Sequence, residues 1–456
     1  MKKLLCLVLI LSFAFSLVSC DIFSSSTING VNLRNYSIVY SDEDSDYSKR
    51  AAEFIKAKIL ERTELDLPIV EDSEKPVTEY EIVVGETERD ISKKLDAKTE
   101  SLEFAILADD NDIALEGDYF IIAAAAYFFV ETYVPEDNFK AEVPEKVSIH
   151  SPIVEEADNF IILIGDGMGS NQTKLFDYME NDLEYSDGED VFYGYYFPNQ
   201  GYSKTSSLSG VTDSAAGGTA ISCGTKTMNN YVGKGQNGED LKSLTELAHE
   251  LGMSAGVMST EPKTGATPAS FSAHADTRHA TAEIIMSQKI AREKYGTIIN
   301  CAYDYYTEGG IKIIEEEITD TLDLLDDNEN GFFLMYEEAY IDKHAHNNYL
   351  DKCFSAVVRF NQAIGRFMEY AFYNPNTFIL ITADHETGDL FASDAGVMEF
   401  HSTAHTGRNV PIFAYGYGAE LFNGMTIENI QIGQTVAYFM GDDNFGDQSK
   451  VSYLGK

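Results

Sequence analysis

The chain has 456 residues, 44% of them hydrophobic and 24% charged, which is enough apolar material for a sizeable core and enough length for two domains. Its 33 Lys and Arg stand against 75 Asp and Glu, a formal net charge of −42; such a field repels nucleic acid and anionic membrane and favours cations. Beyond residue 20 the cysteines are Cys223, Cys301 and Cys353, an odd set that argues against a disulfide framework and leaves stability to the core.

Residues 1–19 place two lysines ahead of an apolar run from Leu4 to Val18, the pattern of a signal peptide. Leu17, Val18, Ser19 and Cys20 resemble a bacterial lipobox, which implies cleavage before Cys20, a lipid on that residue and a membrane contact through the lipid anchor alone. A plain signal peptide cut nearby also gives an exported protein, periplasmic or on the cell surface. Residues 20–30 read as the lipidated cysteine and a polar linker.

The segment YSIVY reads as a strand, and Ser45 to Leu65 places Ala51, Phe54, Ile55, Ile59 and Leu60 at helical spacing. YEIVVGET reads as a second strand and EFAILADDNDIALEG as a hairpin turning at Asp109 to Asn111. The apolar run from Asp118 to Val134 falls short of the ~20 residues a membrane span requires, so a buried helix is expected. Together these form a small α/β accessory domain over residues 31–152. Its order of elements resembles the small domain ahead of the catalytic barrel in some glycoside hydrolases, such as alpha-glucuronidases and hexosaminidases, which implies a scaffold or a glycan contact.

From Asn159 onward strand-like runs alternate with helical ones. FIILIGDGMG stops at Asp166, SLTELAHELG closes a helix at Gly252 before the strand MSAGVMST, FFLMYE runs into Glu337, and TFILITADHETG runs into Asp384 and His385. The alternation predicts an α/β domain over residues 155–456, with a mostly parallel central sheet covered by helices on both faces. Its ligand site is expected beyond the carboxyl ends of the strands.

Hard oxygen ligands, imidazoles, a serine and an arginine in that half of the chain are what divalent-metal phosphate chemistry needs. IILIGDGMG, TDSAAGGTA, ATPASFSAHADTR, MYEEAYIDKHAH, TADHETG and AHTGRN occur in an order and spacing that resemble the alkaline phosphatase family, from Phe160 to about Leu421. The resemblance implies an exported hydrolase of small phosphate monoesters. Ser214 would be the nucleophile that becomes phosphoserine, with Asp213 orienting Arg278, whose planar fork grips two phosphate oxygens. Small residues from Ala215 to Gly218 would let the backbone approach the phosphate.

By the same resemblance Asp342, His346 and His405 would hold one zinc, and Asp166, Asp384 and His385 a second. Asp166 with Thr267 and Glu337 would hold a magnesium, and Lys343 matches a substrate-binding lysine of the bacterial type. His274, His279, His344 and His401 match no ligand position. Many family members carry an acid or imidazole where this chain has Gly265, so the magnesium site is expected to be weakened. Only nineteen residues separate His385 from His405, which leaves a homodimer open. A phosphodiesterase of the same superfamily stays as an alternative, although Arg278 favours a terminal phosphate; so does a glycan-binding surface lipoprotein, although the full ligand set speaks for an enzyme.

Overall fold

The computed structural model describes residues 26–41, 46–74, 76–95, 102–136, 139–176, 191–301, 310–393 and 397–449. The expected signal peptide and Cys20 lie outside the described residues. The chain forms two compact units that divide between Ile153 and Val154.

In the first unit the strand order is Ile69–Glu71, Ser37–Tyr40, Glu81–Val84, Asp112–Glu116, Phe104–Asp109, Ser148–His150. The first four run parallel, and the expected hairpin joins Phe104–Asp109 to Asp112–Glu116 with Asp109 paired to Asp112. Ile121–Tyr133 is the buried helix, and helix Asp46–Thr63 packs beside it. Arg62 donates to the carbonyls of Val130 and Val134 at 3.0 and 2.8 Å, supplying positive charge where the end of the apolar helix exposes unpaired acceptors. Among the described residues no helix is long and apolar enough to cross a membrane.

Among the described residues the main sheet of the second unit has eight strands: β1 Asn159–Gly165, β2 Asn199–Lys204, β3 Ser254–Ser259, β4 Ile298–Cys301, β5 Phe332–Glu338, β6 Thr377–Thr382, β7 Val410–Tyr415 and β8 Thr426–Glu428. Their order is β4-β3-β5-β1-β6-β7-β2-β8, and β7 alone of these eight runs against the rest. Every residue of β1, β5 and β6 is buried, as continuous apolar strands covered on both faces must be.

The pleat divides that apolar surface between two layers. Phe160, Ile162, Ile164, Phe333, Met335, Phe378 and Leu380 share one core with helices α1 Ser214–Cys223, α2 Leu244–Glu250 and, near the C-terminus, Ile430–Phe439. The alternate residues meet the long helix Leu350–Tyr373, where Tyr336 stacks on Phe360 at 6.3 Å and meets Phe367 edge-on at 5.4 Å. The expected mostly parallel sheet with helices on both faces is therefore present. A capping box starts α2, with Ser243 Oγ accepting from the Glu246 amide and Glu246 Oε2 accepting from the Ser243 amide.

Register then positions the chemistry. Ser259, Glu337, Ile164 and Thr382 stand in one row across β3, β5, β1 and β6. Because these strands are parallel, Glu261, Asp166, Asp384 and His385 all emerge at the same edge, two or three residues further on.

Phe360 is fully buried against Tyr336 and Phe192. Phe360→Ala should cost about 3–5 kcal/mol by lost transfer energy plus cavity; urea denaturation showing a loss below about 1 kcal/mol would mean that this layer does not brace the sheet.

Candidate active site

Ser214 is the first residue of α1, not its cap. Asp213 caps the helix, its Oδ1 accepting from the Ala216 amide at 3.1 Å, and its Oδ2 lies 3.4 Å from Arg278 Nη1. The side chain therefore joins a fixed helix end to a fixed guanidinium. At the glycines of the Ala215 to Gly218 run, bareness also serves the packing of the protein. A Cβ on Gly217 would come within 3.0 Å of the Asp384 carbonyl, and one on Gly218 within 3.1 Å of Ser270 Cβ. Their bareness lets α1 pack on the protein itself, drawing Ser214 to Asp384 and His385.

The Ser214 hydroxyl lies 3.1 Å from His385 Nε2, and that nitrogen also faces Asp384 Oδ2 at 3.2 Å and Asp166 Oδ1 at 3.5 Å. On the other side Asp342 Oδ1 lies 3.3 Å from His346 Nε2 and 3.5 Å from His405 Nε2. Each imidazole is held by its second nitrogen. Nδ1 of His346 meets the Thr403 carbonyl at 2.7 Å and Nδ1 of His405 the Thr212 carbonyl at 2.9 Å, so both carry their proton there. Thr387 Oγ1 donates to Asp342 Oδ1 at 2.5 Å and so accepts from His385 Nδ1 at 3.2 Å. All three Nε2 atoms point inward, the arrangement by which outer partners orient metal-binding histidines.

That convergence needs positive charge. His346 Nε2 and His405 Nε2 are 3.0 Å apart, a favourable contact only with a proton or a metal cation between two lone pairs. Ligand atoms of Asp342, His346 and His405 lie within 4.8 Å of one another, as do those of Asp166, Asp342 and His385. Asp342 thus faces both sets and not only the one assigned to it from the sequence.

Beside them lies an oxygen-rich corner. Glu337 near the end of β5 and Thr267 in the helix Ala266–Ser270 are fully buried. Glu337 Oε1, Thr267 Oγ1, Asp166 Oδ1 and Asp384 Oδ2 are buried without a hydrogen-bond partner. Asp166 Oδ1 and Asp384 Oδ2 are the oxygens that face His385 Nε2, so that nitrogen-containing set fits zinc, while Glu337 and Thr267 offer oxygen alone, as a hard cation of the magnesium kind prefers. Lys343 Nζ meets Glu261 Oε2 at 2.7 Å, and Glu261 also fills the space at Gly265, where a Cβ would lie 1.7 Å from Glu261 Oε1.

The titration of these groups records the same crowding. Burial, then Asp384 and Asp342, push Asp166 well above the usual carboxylate range. Burial and then Asp342 bring Asp384 up to about 6, and burial followed by Glu261 raises Glu337. Burial opposes the charge on Asp342, yet His405, His385 and His346 outweigh it and hold that carboxyl low. Burial also disfavours charge on His405, but Asp342 outweighs it and raises the imidazole. His385 is depressed to about 3 by burial and then by His405, so it is neutral near neutral pH.

The structure gathers Asp166, Ser214, Asp342, His346, Asp384, His385 and His405 in one cluster, with Asp213 and Arg278 on the side of Ser214 and Thr267, Glu337 and Lys343 on its oxygen-rich side. The four discounted histidines are engaged elsewhere or outside it. His274 pairs with Glu246 at 3.1 Å, and His401 stacks on Phe391 at 5.0 Å. The His344 ring lies tilted beside Tyr340 at 5.8 Å, and the His279 amide donates to Thr277 Oγ1. Two participants were missed. Thr387 follows His385 by two residues in TADHETG, and Glu261 is the acid four residues ahead of Gly265 in STEPKTGATP.

The raised carboxyls give a pH test with a definite sign. A carboxyl or imidazole raised by folding contributes stability below its unfolded value and loses it as pH climbs through its folded one. Asp384, Asp166, Glu337 and His405 all have that sign and outnumber His385, whose depressed imidazole has the opposite one, so the metal-free protein should lose thermal stability as pH rises through about 6 and beyond, where His385 no longer titrates in either state. Zinc and magnesium should restore it, with a larger gain in Tm at about pH 8 than at about pH 5, since protons compete for the same atoms. A gain independent of pH would contradict this account.

The alkaline phosphatase family model matches residues 157–308 and 312–397. Alkaline phosphatase 4 of Bacillus subtilis is 28% identical over 318 residues, a match spanning 57% of this chain and 68% of that one. The solved alkaline phosphatase of the Antarctic bacterium TAB5 is 28% identical with a TM-score of 0.56, covering 63% of this chain and 99% of that one. A histidine-to-aspartate variant of the TAB5 enzyme, 27% identical with a TM-score of 0.54 over 63% of this chain and 99% of that one, is described with magnesium in its M3 site. With over half its length matched by the family model, and with the sheet and site described above, the chain belongs to the alkaline phosphatase family.

Proposed function

We propose that this chain is a metal-dependent phosphomonoesterase that works through a phosphoserine on Ser214. The observation that carries the reading is the placement of the Ser214 hydroxyl, 3.1 Å from His385 Nε2, at the edge of a cluster of inward-facing imidazole nitrogens and unpartnered carboxylate oxygens. Asp342, His346 and His405 would hold one zinc, Asp166, Asp384 and His385 a second, and Asp166, Thr267 and Glu337 a magnesium. When bound, these ions neutralise the phosphoryl oxygens and lower the proton affinity of the groups that attack and depart.

The chain's own residues do the rest. α1 fixes the Ser214 oxygen for in-line attack; Ser214 gives up its hydroxyl proton to solvent, the Oγ–P bond forms as the ester P–O bond breaks, and the departing alkoxide takes a proton from solvent to leave as the alcohol. Water then attacks the phosphoserine from the vacated side and returns Ser214 with inorganic phosphate. Arg278, held by Asp213, grips two non-bridging oxygens that only a terminal phosphate leaves free, while the metal charges and this guanidinium meet the charge of the transferring group. Lys343 sits beside the site as a further cation for bound phosphate. The leader and Cys20 support action outside the cytoplasm, with the lipid as anchor.

Two substitutions test the reading in the protein from residue 21 onward, assayed on the mono- and bis-esters of p-nitrophenol before and after EDTA. Ser214→Ala should lower kcat on the monoester by about a thousandfold or more. Arg278→Ala should lower monoester kcat/KM by about tenfold to a hundredfold, through loss of hydrogen bonds to charged oxygens, and should leave diester turnover less affected. A wild-type protein that prefers the diester, or a serine variant that keeps monoester activity, would overturn the proposal.

A further inference from the structure

Gly265 has φ −59° and ψ 159°, a conformation any L residue adopts. The backbone therefore does not ask for glycine; the space does. A Cβ there would lie 1.7 Å from Glu261 Oε1 and 2.0 Å from its Cδ. Glu261 is only 8% exposed and is fixed from two sides: its amide donates to Ser259 Oγ at 3.0 Å, and its Oε2 accepts from Lys343 Nζ at 2.7 Å. The same Ser259 hydroxyl donates to Glu337 Oε2, so one side chain ties the Glu261 backbone to the Glu337 carboxylate, and the two acids repel each other through the buried space between them. A second acid brought in beside buried Glu337 is costly unless a cation is shared. Lys343 answers one charge, while Glu337 Oε1 is buried with no closely bonded donor, the buried Thr267 hydroxyl being the side chain that interacts with it.

We propose that Glu261 is the acidic residue of the magnesium-type site in this chain, its carboxylate reaching from position 261 into the volume that Gly265 leaves open. Glycine and glutamate form an exchanged pair, a side chain removed at 265 and supplied from 261. The weakening expected from Gly265 alone is thereby offset, and Lys343 is held at the site by the same carboxylate. This rests on the assignment of Asp166, Thr267 and Glu337 to a metal, made above as part of the proposed function.

The test is a magnesium titration of the zinc-loaded protein from residue 21 onward, read as binding heat and as the shift in Tm rather than as activity. Glu261→Ala, and Glu261→Gln, which keeps the shape and removes the charge, should each weaken magnesium by about tenfold or more, the usual cost of losing an outer partner of a metal site. Gly265→Asp alone should not tighten binding, because its side chain meets Glu261. The double variant Glu261→Ala with Gly265→Asp should return affinity to within about threefold of the parent, restoring one outer carboxylate in the same volume. Glu337→Gln tests the site itself. If it loses magnesium while both Glu261 variants bind as the parent does, the role of Glu261 is overturned and the site stands. If Glu337→Gln also binds as the parent does, the site and the role of Glu261 fail together, and tighter binding by Gly265→Asp alone overturns the exchange.

Discussion

Repulsion organises the second unit. Asp166, Asp342 and Asp384 converge with three imidazole nitrogens at one edge of a parallel sheet, and Asp166 Oδ1 and Asp384 Oδ2 are buried without a hydrogen bond. Left alone, such a cluster would push itself apart or fill with protons, as the raised Asp166, Asp384 and Glu337 show. What keeps it together is the stiffness of the scaffold: four neighbouring strands in common register, buried on both faces, whose ends cannot separate without opening two hydrophobic layers. The free energy of that packing is stored in part as a site that demands cations.

The outer partners then choose the form in which the demand is made. Carbonyls of Thr403 and Thr212 and the Thr387 hydroxyl fix which nitrogen of each imidazole is protonated, so affinity is set one layer out from the atoms that would touch a metal. The serine is treated alike. Ser214 owes its position to Asp213 as cap and to Gly217 and Gly218 as the points where α1 comes closest to Asp384 and Ser270.

Much of this was legible in the sequence, for physical reasons. A buried parallel strand must be apolar throughout, so FIILIGD and TFILITADH declare both the strand and the polar residue at its carboxyl end. The six segments with their acids, histidines, serine and arginine marked the cluster, and their order resembled one family. The direction of β7 was not legible, because an apolar run such as VPIFAY reads the same in either sense. Nor was the work of the glycines in TDSAAGGTA, which depends on what packs against them. Glu261 escaped because its role is defined by an absence four residues later, and Thr387 because a threonine's hydroxyl gains its meaning only from neighbours brought near by folding.

Asp342 faces both groups of imidazoles, within reach of His346 and His405 on one side and of Asp166 and His385 on the other. A cation settling on either side draws on the same carboxylate charge and changes what the other side offers. By thermodynamic reciprocity each occupant must alter its neighbour's affinity by the same factor that it is itself altered. With cations on both sides, the two sets would be one cooperative system, filled and emptied along coupled rather than independent isotherms.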